Sequence, residues 1–301
     1  MVELINRKKL DIKKYDACVQ TSIQSNIFGF SWYLDIVSDK WSALVLNDYE
    51  AVMPIPWRKK YFMKYVYHPF WVIQLGIYST VVEDENEFLI ALFSEFKYVS
   101  LRTNKQNSFS MFHSYQMQKK VQTLSFNENY QTISLNYNRN RKRELKKATQ
   151  QDLTECWNDS PKKLIDLFKS GVGKRVQKLN EKDYMRLYKL MSTCVRKNLG
   201  ELLTVYDKQN NLISAAFFLK HNNRVTELVC ASDLKNRNNG ANTFMNDRAI
   251  FKYERNFEVF DFGGSSMKNI AKYYYSFGGK DEYYTQLHYN NLPRLLRFFK
   301  R

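Results

Sequence analysis

The chain has 301 residues, and its 47 Lys and Arg against 30 Asp and Glu give a formal net charge of +17. Hydrophobic residues make up 44% and aromatic residues 16%, which excludes an intrinsically disordered chain, while ten Gly and five Pro exclude a collagen-like one. No apolar run reaches the roughly 18–20 residues of a membrane span, and the first residues lack the apolar stretch of a signal peptide. We therefore expect a cytoplasmic protein.

The first half of the chain predicts a β-hairpin followed by a helix and a strand. Residues 41–46 and 51–56 have strand composition and flank a turn at 47–50. A further β-rich run follows at 61–67, and 72–77 is another candidate strand. Acidic residues at 83–87 predict a helix start, with the helix reaching about residue 96 and a strand following at 98–101.

A basic, helical segment separates the two halves. Residues 137–149 carry a cluster of cations, and helical spacing places Arg139 and Arg143 on one face. Such a face is either solvated surface or a binding site for phosphate groups. Ser160 and Pro161 then predict an N-cap and first turn for a helix to about residue 169, and Asn180 predicts the cap of another.

The second half repeats the element order of the first. Strands are predicted at 202–206, 212–219 and 225–231, followed by a helix from about 241 to 255 and a strand at 258–262. We therefore expect an α/β fold with mixed sheets, built as two tandem copies of one unit. The predicted boundaries are an N-terminal domain at 1–135, a basic helical bridge at 136–180 and a C-terminal domain at 181–301.

The charge and the scattered cysteines narrow the chemistry. A positive surface favours a nucleotide cofactor, a phosphorylated substrate, nucleic acid or an anionic membrane face, without choosing among them. Zinc sites and disulfide frameworks need clustered ligands. The cysteines and histidines of this chain lie too far apart in the sequence for either, so we expect no metal site. They are Cys18, Cys156, Cys194, Cys230, His68, His113, His221 and His288.

Three segments resemble the FemAB-like branch of the GNAT N-acetyltransferase superfamily, in which two GNAT domains stand in tandem. They are SWYLD at 31–35, the basic RNRKRELKKA at 139–148, and FDFGGS at 260–265 followed by YYYSFG at 273–278. The resemblance covers most of the chain, and the C-terminal segment is its most specific part. It implies transfer of an acyl group, in some members from acyl-CoA and in others from aminoacyl-tRNA to a peptidoglycan precursor.

The resemblance also implies a cofactor loop. In GNAT proteins the loop and helix start after the fourth strand hold the pyrophosphate of acyl-CoA with backbone N–H groups, as a helix dipole favours. The matching positions here are Arg237, Asn239, Gly240, Ala241 and Asn242. Asn242 departs from the small residue of the family pattern, and an ordinary Asn/Gly turn that caps a helix is the alternative.

Two catalytic residues follow from the same resemblance. Glu227, on the fourth-strand equivalent, is the candidate general base, and the alternative is an outward-facing charge on a half-exposed strand. Tyr274 stands where the tRNA-dependent members have a lysine, and it is the candidate general acid for a leaving thiolate. The alternative for Tyr274 is plain packing. A neutral phenol supplies no fixed positive charge, so acyl-CoA is the expected donor.

The expected function is an N-acyltransferase that moves an acyl group from acetyl-CoA or another acyl-CoA to a small-molecule or peptide amine held between the two domains. An aminoacyl-tRNA-dependent transferase is the first alternative, with tRNA as partner, and a non-catalytic polyanion-binding protein is the second. The residues expected to bind substrate are Trp32, Tyr33, Asp35, Arg58 and Gln74 in the first domain, with Arg139 and Arg143 in the basic helix. The alternative for the first-domain residues is a packed core, where Trp and Tyr are common.

Overall fold

The computed structural model describes residues 1–60, 62–80, 84–157, 159–176, 179–233, 239–263 and 266–293, and the chain divides into two compact units. Unit 1 comprises residues 1–119 and the C-terminal segment from Tyr283, and unit 2 comprises Lys120–Glu282. The C-terminal segment belongs to unit 1 because residues 286–290 pair with Tyr98–Arg102. This division differs from the predicted boundaries at 135 and 180, since the order of elements contains no signal for a returning strand.

Unit 1 is a mixed sheet with helices packed on it. Its elements are β1 (Val2–Asn6), α1 (Ile12–Thr21), α2 (Ser31–Val37), β2 (Lys40–Leu46), β3 (Ala51–Lys60), β4 (Met63–Val66), β5 (Tyr78–Ser79), α3 (Asn86–Glu95) and β6 (Tyr98–Arg102). The strand order is β1-β2-β3-β4-β6, with β5 on β3 and residues 286–290 beside β6. Strand β4 runs parallel to β6, and the other pairs are antiparallel. Burial of β2 and β3 is almost continuous, as expected for strands covered on both faces.

Residues 72–77 do not form the strand that their composition predicts. Gly76 has a φ of 128°, which breaks the extended backbone. The Ile77 N–H donates to the side chain of Asn107 at 3.0 Å instead of to a neighbouring strand. A side-chain amide has thus taken the hydrogen bond that a β-ladder would supply.

Unit 2 repeats the same order of elements. The elements that follow β6 are β7 (Gln116–Ser125), α4 (Tyr130–Leu135), α5 (Arg139–Gln150), β8 (Thr154–Cys156), α6 (Pro161–Ser170), α7 (Glu181–Arg196), β9 (Gly200–Tyr206), β10 (Leu212–His221), β11 (Arg224–Ser232), α8 (Ala241–Tyr253), β12 (Val259–Asp261), α9 (Lys268–Tyr275) and β13 (Lys280–Asn290). The strand order is β12-β11-β10-β9-β8, with residues 123–125 of β7 beside β12. Both units join a hairpin and a third strand through a helix to a parallel strand, which confirms the predicted internal repeat.

Helix starts in unit 2 follow the predicted caps. The Ser160 side chain accepts from the Lys162 N–H before α6, and Pro161 occupies the first turn. Asn180 and Asp183 form a reciprocal capping box at the start of α7. Among the described residues, no helix combines the length and apolar character needed to cross a membrane.

Strands β11 and β12 separate soon after they meet. Their parallel pairing joins only Arg224 with Val259, residue 225 with 260, and Thr226 with Asp261 within the described residues. At this closed end the Arg224 guanidinium donates to Asp261 at 2.7 Å and to Glu282 at 2.7 Å. The ion pairs hold the strands together at one end, and β11 continues alone on this side toward the start of α8.

Candidate functional site

Glu227 follows the point of separation and lies next to a β-bulge. Two successive residues of β10 pair with Val229 and Glu227, so Leu228 is an extra residue in β11. In a regular strand, side chains three residues apart point to opposite faces. One extra residue reverses that alternation and brings Cys230 to the face that carries Glu227. Bulges re-aim side chains in this way next to functional sites.

The Glu227 carboxyl group is buried, with 3% of the residue exposed. Its Oε1 accepts from the Tyr274 hydroxyl at 3.4 Å, while Oε2 has no hydrogen-bond partner within the described part of the chain. Burial raises the pKa of Glu227 to about 7, against the opposing effect of the Cys230 thiol and the Tyr274 hydroxyl. A carboxyl group with this pKa exchanges protons readily at neutral pH.

Tyr274 faces the carboxyl group from α9. Its ring stacks on Phe262, with 4.6 Å between ring centroids, and meets the Tyr273 ring edge-on at 5.4 Å. Burial raises the pKa of Tyr274 well above its ordinary value, and the charge of Glu227 adds to this effect. The hydroxyl is therefore a protonated donor at neutral pH, aimed at Glu227 rather than at solvent.

The predicted cofactor loop ends at the start of α8. Arg237 lies outside the described residues. Asn239 Oδ1 accepts from the Ala241 N–H at 2.9 Å, so a side chain already satisfies one of the first N–H groups of the helix. Gly240 is the N-cap with a φ of 82°, and Asn242 lies 3.5 Å from the Ser232 hydroxyl at the end of β11.

Gly240 also allows the basic helix to approach α8. A Cβ atom at this position would lie 2.3 Å from the Glu144 carbonyl oxygen and 3.2 Å from the Ala148 backbone nitrogen, both in α5. The basic helix thus packs on the start of α8 inside unit 2. The basic helix and the cofactor loop, which lie far apart in the sequence, are therefore neighbours in the structure.

We expect Gly240→Ala to lower the free energy of unfolding by about 1–3 kcal/mol, because the new methyl group displaces α5 and the backbone is strained. Gly278→Ala is the matched control. Gly278 has a φ of 92°, but a Cβ there would meet only Leu124, at 3.5 Å. Urea unfolding should show the larger loss for Gly240→Ala, and equal losses would contradict the close packing of α5.

Arg141 connects the start of α8 with the Glu227–Tyr274 pair. Its Nη1 donates to the Thr243 hydroxyl at 2.5 Å, and its guanidinium lies 4.6 Å from the centroid of the Tyr273 ring. Burial raises the pKa of Tyr273, and the positive charge of Arg141 opposes that rise. Helices α5, α8 and α9 therefore converge on one polar cluster, which we call the unit 2 cluster: Arg141, Glu227, Cys230, Thr243, Tyr273 and Tyr274.

The two cations of α5 that were predicted to bind substrate point away from this cluster. Arg139 and Arg143 are exposed and line an open groove on the outer face of α5, together with Asn140, Lys142 and Lys146. This outward pair was predicted to bind substrate because the spacing of Arg139 and Arg143 places them on one helix face. Arg141, on the inward face, has the contacts that matter for the cluster, and its spacing alone did not distinguish it.

The predicted substrate residues of unit 1 have mostly structural partners. Asp35 accepts from Arg7 at 2.7 Å and from the Trp41 indole at 2.8 Å, and Arg58 is paired with Asp39. The remaining three differ in exposure: Tyr33 is fully buried with its hydroxyl on the Trp71 carbonyl, Trp32 is half-buried beside the Tyr33 ring, and Gln74 is buried. Gln74 Nε2 has no partner within the described ranges.

Comparison with solved structures shows the fold. FemX aligns over 99% of this chain and 100% of its own, with a TM-score of 0.65 and 13% identity. A tandem GNAT protein from the clavulanic acid biosynthesis pathway aligns over 97% and 99%, with a TM-score of 0.57 and 6% identity. L-PGS from Bacillus licheniformis aligns over 96% and 94%, with a TM-score of 0.55 and 11% identity.

No family model and no curated protein sequence matches the chain. The structural similarities nevertheless extend over almost the whole length of this chain and of each of the three solved structures. The chain has the fold of FemX and of a tandem GNAT protein, and the predicted tandem architecture is confirmed.

Proposed function

We propose that this protein is an N-acyltransferase that moves an acyl group from acyl-CoA to an amine, with the reaction in unit 2. The observation that carries the proposal is the buried Glu227 carboxyl group, whose pKa is raised to about 7 and whose Oε1 meets the Tyr274 hydroxyl at 3.4 Å. A buried base with a pKa near neutral pH, next to a protonated hydroxyl, supplies the two proton transfers that acyl transfer from a thioester to an amine needs.

The two residues divide the proton transfers between them. Glu227 removes a proton from the neutral amine as its nitrogen attacks and forms the new bond to the thioester carbonyl carbon. When the carbon–sulfur bond breaks, Tyr274 donates its proton to the leaving thiolate. The proton held by Glu227 then returns to the Tyr274 oxygen across the existing contact. The products are an amide and free CoA, and both residues regain their starting states.

We place the donor at the start of α8, where Arg237, Asn239, Gly240, Ala241 and Asn242 would hold its pyrophosphate. Support comes from the left-handed Gly240 at the N-cap and from the neighbouring basic helix. A helix start offers N–H groups and a positive dipole end to an anion. The Asn239 side chain, which now caps Ala241, would be displaced by the phosphate or remain beside it.

For the acceptor we propose contacts in unit 1 from Trp32, Asp35, Arg58 and Gln74, with the fully buried Tyr33 acting through its packing against the Trp32 ring. Gln74 has the best support, because its buried Nε2 lacks a partner within the described ranges and an unpaired buried donor costs free energy. Asp35 and Arg58 already have charged partners, so their contribution would be to hold this surface rather than to carry a charge to the ligand.

Aminoacyl-tRNA is the second candidate donor, favoured by the exposed cations Arg139 and Arg143 on α5. A non-catalytic polyanion-binding protein would use the same surface. These alternatives differ in salt dependence, because binding of a long polyanion releases many counterions and weakens steeply as salt is raised.

The experiment is calorimetric titration of the protein with acetyl-CoA at low and high salt. We expect micromolar binding that changes little between the two salt concentrations, followed by acceptor-dependent release of free thiol when amines are screened. Absence of acetyl-CoA binding at both salt concentrations would overturn the proposed donor. Salt-sensitive binding of an RNA hairpin in the parallel titration would then favour aminoacyl-tRNA or the binding protein.

A further inference from the structure

Arg141 differs from the other cations of α5 in the direction of its side chain. Its neighbours Arg139, Lys142 and Arg143 are exposed, whereas Arg141 is half-buried and bonded to Thr243 in the first turn of α8. The guanidinium also lies over the Tyr273 and Phe277 rings, at 4.6 Å and 5.7 Å from their centroids. Its position is therefore fixed by three elements of unit 2.

The charge of Arg141 lacks compensation in the described part of the chain. No carboxylate there forms an ion pair with it, and its buried Nε has no hydrogen-bond partner. Aromatic faces and one hydroxyl only partly replace the hydration that burial removes from a guanidinium. The start of α8 is close to the same side chain, and a helix N-terminus carries a partial positive charge that repels a cation. The Arg141 guanidinium and the N-terminus of α8 are thus two neighbouring sources of positive potential, and no carboxylate within the described ranges is paired with Arg141.

The rings of Tyr273 and Tyr274 separate this cation from the Glu227 carboxyl group. Tyr273 feels the charges of both Arg141 and Glu227, and its ring meets the ring of Tyr274, which bonds to Glu227. The aromatic pair keeps Arg141 from neutralising Glu227, which is 3% exposed and whose Oε2 has no hydrogen-bond partner among the described residues. Each group is left available for a ligand, the cation for an anion and the carboxyl group for a proton.

From this arrangement we propose that Arg141 binds a phosphate group of the donor and so positions the donor beside Glu227 and Tyr274. The guanidinium fork matches phosphate oxygens, and Arg141 already spans α8 and α9. The inference rests on the proposed transferase function, but it concerns a phosphate ester that either CoA or tRNA supplies. Arg141 is a donor-binding residue in this proposal, not a proton carrier.

The test compares Arg141→Gln with Lys146→Gln, which removes an exposed cation from the same helix, and with Arg141→Lys, which keeps the charge. Calorimetry with CoA should show affinity reduced about 10-fold to 100-fold by Arg141→Gln, less by Arg141→Lys, and less than about twofold by Lys146→Gln. S-acetyl-pantetheine, which has no phosphate group, should bind wild type and Arg141→Gln equally. Thermal unfolding checks that each variant is folded.

Several results would overturn the inference. CoA affinity that is unchanged in Arg141→Gln, or reduced equally in Lys146→Gln, would show that Arg141 has no special contact with phosphate. Equal loss of S-acetyl-pantetheine binding would show a purely structural role. If wild type bound an RNA hairpin but not CoA, and only Arg141→Gln weakened RNA binding, the acyl-CoA donor would be wrong and the role of Arg141 would stand. Wild type that bound neither probe would refute both.

Discussion

Glu227→Gln should lower kcat by roughly 100-fold to 10,000-fold, the range over which a positioned general base contributes. The amide keeps the shape of the side chain and still accepts from the Tyr274 hydroxyl, but it cannot take a proton from the amine. Thiol release from acetyl-CoA with the best acceptor from the amine screen measures the loss. Acetyl-CoA binding should be nearly unchanged, because the carboxyl group is assigned to the proton and not to the donor.

The pH dependence of the wild type provides an independent readout of the same group. With a pKa of about 7, Glu227 is mostly protonated at pH 6 and mostly ionised at pH 8, so kcat/KM should rise through about pH 7. Stability should change in the opposite direction. Below the ordinary pKa of 4.5 the group is protonated in both folded and unfolded chains, whereas above 7 the folded chain must hold a buried charge.

This difference between folded and unfolded pKa values corresponds to roughly 3 kcal/mol of unfolding free energy, lost as pH rises from 4.5 through 7. Glu227→Gln lacks that contribution, so its stability should fall less over the same interval. Glu258→Gln is the control, because Glu258 is an exposed carboxyl group of unit 2. Equal pH dependence in Glu227→Gln and wild type would contradict the raised pKa, and unchanged kcat would contradict the base.

Tyr274→Phe should lower kcat by roughly 100-fold with little change in acetyl-CoA affinity, because the ring remains stacked on Phe262 and only the acidic proton is lost. The effect should be smaller for donors whose leaving group is more acidic, since such a thiolate leaves without a proton. Steady-state rates with acetyl thioesters of different leaving-group pKa measure this dependence.

The neighbouring Tyr275→Phe variant separates this role from general damage to α9. Tyr275 is 38% exposed, and its hydroxyl donates to Asp281 rather than to Glu227. We expect it to retain activity within a fewfold of wild type. Unchanged turnover in Tyr274→Phe would refute the acid role, and comparable losses in both variants would assign the effect to helix packing.

Much of the fold was predictable from local sequence patterns. Caps at Ser160 and Asn180 depend on hydrogen bonds within three residues, and the paired hairpins depend on strand composition around short turns. These signals are complete within short segments, so they are visible in one sequence. Strand β1 was missed because it has only five residues, with Glu3 among its apolar ones, and helix α1 was missed because lysines interrupt its apolar stripe.

The candidate site was only partly predictable for a different reason. Glu227 and Tyr274 were selected through family resemblance, but the burial of Glu227 depends on packing, and the partnership with Cys230 depends on the bulge at Leu228. A bulge is a mismatch between two strands, and one strand alone does not encode it. Likewise, Arg141 became important only when α5, α8 and α9 were placed together.

The pairing of residues 286–290 with β6 has a consequence for how the chain is made. Some 180 residues, including all of unit 2, leave the ribosome between β6 and its partner, so the edge of β6 is exposed throughout that synthesis. An unpaired strand edge is a template for pairing with other strands or chains, and closing so long a loop is slow. Unit 2 can therefore complete its sheet first. Nascent unit 1 would be the aggregation-prone intermediate that chaperones meet during translation.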